Sequence, residues 1–93
     1  MIVSFKCKET ERIWNQEFSK RFPPGIQGVM LRKLIMLSKS VSLEDLRCPP
    51  SNRLEKLKGD REGQYGIRVN DQYRVCFRWQ GGNAADVEIV DYH

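Results

Sequence analysis

Three cysteines and a single histidine are all that the 93 residues contain of the softer metal ligands. Cys7, Cys48 and Cys76 lie far apart and form no CxxC pair. A disulfide framework or a structural zinc site is therefore not expected, and reduced thiols that pack as small hydrophobes fit better. Long apolar runs are missing too. No stretch approaches the roughly 18 residues that a membrane span needs, and the opening residues lack the apolar core of a signal peptide. These absences favour a cytoplasmic protein that neither spans nor binds a membrane. No internal repeat, low-complexity tract or linker interrupts the chain. A mass of 10.9 kDa allows one domain, residues 1–93, and not two.

What is present is an ordinary globular mix, 40% hydrophobic and 30% charged, with an uneven distribution of charge. The formal net charge is +4. Residues 79–93 contain no Lys or Arg, but they do contain Asp86, Glu88 and Asp91. The middle of the chain is basic, with Arg53, Lys56, Lys58, Arg61, Arg68, Arg74 and Arg78. Such a segment suits a polyanion partner, although a solvated basic surface would look the same in composition.

Periodicity divides the chain into two halves. Residues 1–6 are partly β-branched and read as a first strand. Thr10 is placed to cap a helix in which Ile13, Trp14, Phe18 and Phe22 recur at helical spacing. Pro23-Pro24-Gly25 breaks it. Ile26, Val29, Met30, Leu34 and Leu37 make the stripe of a second helix. Ser42-Leu43-Glu44-Asp45 starts one further turn. From residue 53 the period falls to two. Leu54 and Leu57, then Tyr65, Ile67 and Val69, then Val75, Phe77 and Trp79, and finally Val87 and Ile89 mark four β elements joined by short turns. Short turns make neighbouring strands antiparallel. The predicted class is α+β, with two N-terminal helices on one face of a small, mainly antiparallel sheet.

Alternation also fixes what the other face carries. If Val75, Phe77 and Trp79 point inward, then Arg74, Cys76 and Arg78 point outward. Arg68, Gln72 and Tyr92 share that face, with His93 and the loop 58–63 at its border. Guanidiniums that fork onto phosphate oxygens, beside an aromatic ring that stacks on a base, are the parts of an RNA-binding surface. The plainer reading is a solvated face whose arginines pair with Asp86, Glu88 and Asp91.

Four segments, IVSFK, LKGDREGQYGIRV, NDQYRVCFRW and VEIVDYH, follow one another with a spacing that resembles HigB-type toxins, the plasmid-maintenance host-killing branch of the RelE/ParE toxin superfamily. The Gly-Asp-Arg-X-Gly loop and the Asp-Tyr-His ending are its most specific parts, and the resemblance spans the whole chain. It implies a RelE-like, microbial-RNase-like fold and a type II toxin that cuts messenger RNA on the 70S ribosome. It also implies inhibition by a helix-turn-helix, HigA-like antitoxin, with operator DNA bound only through the complex. By position, the catalytic residues of the family fall on Lys58, Arg74, Tyr92 and His93. Arg61, Arg68, Gln72 and Arg78 are then candidates for RNA binding. Some relatives carry a histidine three residues before the loop lysine, where this chain has Glu55.

The implied chemistry needs no metal or cofactor. A base takes the proton of a ribose 2′-OH, a cation stabilises the extra charge on phosphorus, and an acid protonates the leaving 5′-oxygen. Arg74 suits the cationic role because a guanidinium stays protonated and engages two oxygens at once. Lys58, Tyr92 and His93 are left to share the proton transfers. Unperturbed Lys and Tyr side chains hold their protons to about pH 10, whereas His titrates near 6.5. Each residue also has a plainer role: a turn lysine, a packed terminal aromatic, a frayed end, or, for Arg74, an ion pair with Glu88 or Asp91. A gyrase-poisoning ParE-type toxin, or a non-catalytic interaction protein or co-repressor, is the competing function.

Overall fold

The computed structural model describes residues 1–92 of the chain. Helix α1 spans Lys8–Trp14 and buries Thr10 and Ile13. Its N-cap is Cys7, one turn earlier than the expected cap at Thr10. Thr10 lies inside the helix, fully buried, where its hydroxyl accepts the Ile89 N–H at 2.9 Å. That bond satisfies a backbone donor which would otherwise be buried without a partner.

The first helix is shorter than its apolar spacing predicts. It stops at Trp14, and Gln16 takes a left-handed φ of 61°. The chain then folds back on itself. Ser19 is buried and gives its N–H to Gln27 Oε1, while Gln27 Nε2 returns bonds to the carbonyls of Ser19 and Phe22. Phe22 therefore enters the core, but Phe18, expected on the same helical stripe, is 61% exposed.

A 3-10 turn over Pro24–Ile26 leads into helix α2, Gln27–Lys39, whose Met30, Leu34 and Leu37 are fully buried. A further 3-10 turn follows at Leu43–Arg47, where the Asp45 carboxylate accepts the N–H groups of Val41 and Ser42. The buried Asn52 fastens the next loop. It donates to the Leu46 carbonyl and accepts Lys33 Nζ at 2.6 Å. Burial, then the charges of Arg32 and Arg68, lower the Lys33 pKa.

Four antiparallel strands follow in sheet order β1-β2-β3-β4: Glu55–Lys56, Tyr65–Arg68, Tyr73–Gln80 and Asn83–Asp91. Val75 faces Ile67 on one side and Ile89 on the other. Period two holds on the inner face, where Ile67, Val75, Phe77, Val87 and Ile89 join Met30, Leu34 and Leu37 in one buried cluster. Opposite Phe77 the register shifts, and Asp86 takes a φ of 51°. This β-bulge bends β4 while keeping Val87 and Ile89 turned inward.

Residues 1–6 do not make the expected strand. Ile2 and Phe5 form only isolated parallel bridges, to Ala84 and Val87. The bulge is the reason. Between those two rungs the Asp86 N–H leaves the ladder and donates to Ser4 Oγ at 2.8 Å.

Candidate active site

Register places Glu55, Gly66, Cys76 and Glu88 in one row across the sheet, with Arg68, Arg74 and Val90 in the next. These rows form the face opposite the helices. Its centre is not open. Cys76 is fully buried, and Leu57 is 5% exposed. The loop that follows β1 folds over this part of the sheet. The Leu57 methyl carbons lie 3.4 and 3.6 Å from where a β-carbon on Gly66 would stand, an ordinary contact. Alternation placed Cys76 on the outer face correctly, but burial there depends on a long-range loop that no local pattern reveals.

Arg61 holds this cover down, and Arg78 borders it. Arg61 Nη1 donates to Glu88 Oε1 at 2.8 Å and to Gln64 Oε1 at 3.2 Å, and the bond to Glu88 raises its pKa. Lys6 Nζ lies 3.9 Å from the same carboxylate. Arg78 Nε is 3.5 Å from Asp86 Oδ2. Arg78 Nη1 sits 2.8 Å from the position a Gly63 β-carbon would take, and Gly63 has a φ of 89°, so glycine alone fits there without strain. Arg61 and Arg78 thus follow the plainer reading of paired surface arginines.

Arg74 is different. Its Nη1 donates to the backbone carbonyls of Asn70 at 2.7 Å and Tyr73 at 3.2 Å. Its guanidinium carbon lies 5.2 Å from the centre of the Tyr92 ring. Among the described residues it has no carboxylate partner, and its Nε and Nη2 donors are unused. The plainer alternative, an ion pair of Arg74 with Glu88 or Asp91, is not formed: Glu88 is held by Arg61, and the Asp91 carboxylate accepts the Gln72 amide. A guanidinium fixed by backbone carbonyls and an aromatic ring keeps its charge and its outward donors for an anion.

The surrounding side chains fix this pair. The Tyr92 N–H donates to the Gln72 carbonyl at 2.6 Å, and the Gln72 side-chain amide donates to Asp91 Oδ2 at 3.0 Å. The Asn70 side-chain oxygen accepts the N–H groups of Gln72 and Tyr73, which closes the turn between β2 and β3. Arg68 pairs with Asp71 in the same turn. Lys58 is exposed and caps the 3-10 turn Gly59–Arg61, with no side-chain bond among the described residues. His93, the fourth expected catalytic residue, lies outside the described residues.

The buried thiol of Cys76 shows which charges share this face. Burial pushes its pKa up to about 11; Glu88 and Glu55 push the same way, and Arg61 and Arg74 oppose them. Two carboxylates, Glu88 and Glu55, therefore share this face with Arg61 and Arg74, and Asp91 borders it through its bond to Gln72. Of these, Glu88 and Asp91 entered the sequence reading only as ion-pair partners, and Glu55 only as a missing histidine. Strand register was the signal that could have placed Glu55 here.

Comparison with known proteins adds the following. The model of the HigB-like toxin family, described as RelE-like toxins of type II toxin–antitoxin systems, matches residues 3–93. Toxin HigB-1 of Vibrio cholerae is 40% identical over 90 residues, which cover 96% of this chain and 95% of that protein. Endoribonuclease HigB of Proteus vulgaris is 28% identical over 93 residues, the full length of both. A Staphylococcus aureus YoeB–YefM toxin–antitoxin complex, a heterotetramer, contains a chain that superposes with a TM-score of 0.61 at 20% identity. The match covers 100% of this chain and 98% of that one. That likeness extends to the fold alone.

Proposed function

The chain belongs to the HigB-like toxins, the RelE-like toxins of type II toxin–antitoxin systems, and from that premise we propose that it is an endoribonuclease that cuts messenger RNA on the ribosome. The relative named as an endoribonuclease supports the activity. The observation that carries the reading is Arg74, a cation stacked on Tyr92 with outward donors and no carboxylate partner among the described residues.

In this reading residues 1–93 act as a single cytoplasmic domain without metal or cofactor. The ribose 2′-OH attacks the adjacent phosphorus and expels the 5′-oxygen. Arg74 stabilises the added charge on the phosphorane with two donors. Tyr92 stacks on a base and positions it. Lys58 and His93 serve the proton transfers. Gln72 and Arg68 border the RNA path beside Arg74. Arg61 and Arg78 line the covered end, where an RNA phosphate competes with Glu88 and Asp86 for them. In this reading a sheet face by itself orients a flexible RNA poorly. The ribosome supplies that orientation. The partner that restrains the toxin is a helix-turn-helix, HigA-like antitoxin, and the pair reaches operator DNA through the antitoxin.

The test is cleavage of one messenger RNA by purified protein, with and without programmed 70S ribosomes, with mapping of the new 5′ ends. Cuts within translated codons, and only in the presence of ribosomes, are the expected result. Efficient cutting of free RNA would remove the ribosome from the mechanism. DNA breaks without RNA cleavage would favour a gyrase poison.

A further inference from the structure

We propose that the Arg61–Glu88 pair is a positioning clamp that sets Lys58 against the strand leading to Tyr92, a role that rests on the endoribonuclease reading above. A group that moves a proton works only where it reaches the reacting oxygen, so the backbone that carries it must be fixed. Lys58 is exposed on a loop, and its side chain makes no bond among the described residues. Its neighbours must therefore place it.

The loop is braced within itself. The Leu57 N–H donates to the Gln64 carbonyl at 2.9 Å, the Arg61 N–H to the Lys58 carbonyl at 3.2 Å, and the Gln64 N–H to the Arg61 carbonyl at 3.0 Å. These bonds give the loop a shape but do not fix it against the site. Strand β1, from which it springs, lies at the edge of the sheet, is two residues long and pairs with β2. The Arg74–Tyr92 site is built on β3 and the end of β4, where Val90 pairs with Arg74. The Arg61 side chain crosses that gap. It bonds to Glu88, two residues before Val90, at 2.8 Å, and to the buried Gln64 at 3.2 Å. Lys6 approaches the same carboxylate from the first segment of the chain, at 3.9 Å.

The pair is also sheltered. Its side chains are 31% and 16% exposed, and beneath the loop the Cys76 thiol is fully buried. A charge-assisted bond in such surroundings holds its geometry better than one in open water. Glu88 thus keeps Arg61 against a competing RNA phosphate. Held there, Arg61 fixes Lys58, three residues earlier in the same turn.

Two measurements test the clamp. The first is the maximal single-turnover rate on programmed ribosomes, with the ribosome concentration that half-saturates it, and with circular dichroism as the control for folding. Arg61→Met keeps the stem and loses the pair. Its maximal rate should fall by about 10-fold to 100-fold, the usual cost of a small displacement near the reacting atoms, while half-saturation stays unchanged. In a Lys58→Ala background the same substitution should cost less than about twofold, because residues that act through one group are not additive. Glu88→Gln keeps its shape, breaks the pair from the other side, and should repeat the pattern. The second measurement is labelling by an aromatic disulfide of protein carrying Cys7→Ser and Cys48→Ser, in which Cys76 is the one remaining thiol. Arg61→Met and Glu88→Gln should each speed that labelling by about tenfold or more as the loop opens locally.

Losses that multiply in the Lys58→Ala background, or a raised half-saturation at an intact maximal rate, would make Arg61 an RNA contact and overturn the proposal. Wild-type cleavage or unchanged labelling in both variants would overturn it as well. A wild-type protein that cuts no messenger RNA in any setting overturns the endoribonuclease reading itself. The labelling needs no RNA, so it still shows whether the pair holds the loop, and the two failures stay distinct.

Discussion

The two ends of the sheet's outer face hold the same residue type under opposite conditions. At one end the loop after β1 covers the strands, and Arg61 and Arg78 are matched with Glu88 and Asp86. At the other, Arg74 rests on Tyr92 and two backbone carbonyls, with no carboxylate among the described residues. An arginine on this face is thus structural or available according to what lies beside it. Composition and alternation see only that all three are arginines. The covered end holds a loop in place, and the bare end offers charge to a ligand.

Breaking the bare end should cost the most. Arg74→Ala should lower single-turnover cleavage of ribosome-bound RNA by about 100-fold to 1000-fold, the usual cost of deleting a donor that stabilises transition-state charge. Its melting temperature should fall modestly, because two hydrogen bonds to backbone carbonyls and a ring contact are lost, while the fold persists. Wild-type cleavage by this variant would make both ends structural. Tyr92 sharpens the same point. If the ring serves as a stacking platform, Tyr92→Ala should lose about 10-fold to 100-fold in rate, matching roughly 1–3 kcal/mol for one stacked base, while Tyr92→Phe keeps most of the activity. Equal damage from both substitutions would move the role to the hydroxyl.

The covered end should show its effects in stability as well. The Cys76 thiol has its pKa raised from 9.0 to about 11 by burial. A raised folded-state value for a group that is neutral when protonated stabilises the fold below about pH 9. That contribution is lost as pH climbs toward 11, by about 2–3 kcal/mol, or 1.36 kcal/mol per unit. Denaturant unfolding from pH 8 to 10.5 should therefore fall more steeply for wild type than for Cys76→Ala. Parallel slopes would show that the thiol does not carry this linkage. Gly63→Ala forces a β-carbon onto Arg78 Nη1 at a left-handed φ of 89°, and should cost about 1–2 kcal/mol, read as a lower melting temperature. The smallest effect belongs to Arg78→Ala. Its pair with Asp86 spans 3.5 Å between side chains that are 40% and 49% exposed, so less than about 1 kcal/mol is expected.

Much of this architecture was legible before any coordinates. The stripe of Met30, Leu34 and Leu37 marks α2, and the alternation of Val75 and Phe77 marks the inner face of β3, because each pattern is local and fully used by the core. The failures share a physical cause, namely contacts made across long stretches of chain. Thr10 looks like a cap because its hydroxyl needs a partner, and that partner is Ile89. Phe18 fits a helical stripe, but Gln16 has already turned the chain away. Asp86 reads as one more strand residue, although its left-handed φ inserts a bulge. On the candidate face, Arg74 and Tyr92 emerge from parity and from the family resemblance. What singles out Arg74 from Arg61 and Arg78 is a set of partners that only the fold assigns.

The junction of the first residues with β4 also has a temporal meaning. Ile2 pairs with Ala84 and Phe5 with Val87, so the first of these segments to be synthesised waits for the second. Until residues 83–92 emerge, the nascent chain lacks the strand that completes the inner cluster through Val87 and Ile89, the partner of Arg61, and the ring beneath Arg74. Contacts of such sequence separation form late and slowly. The outer face is therefore complete only once residues 83–92 have joined the sheet.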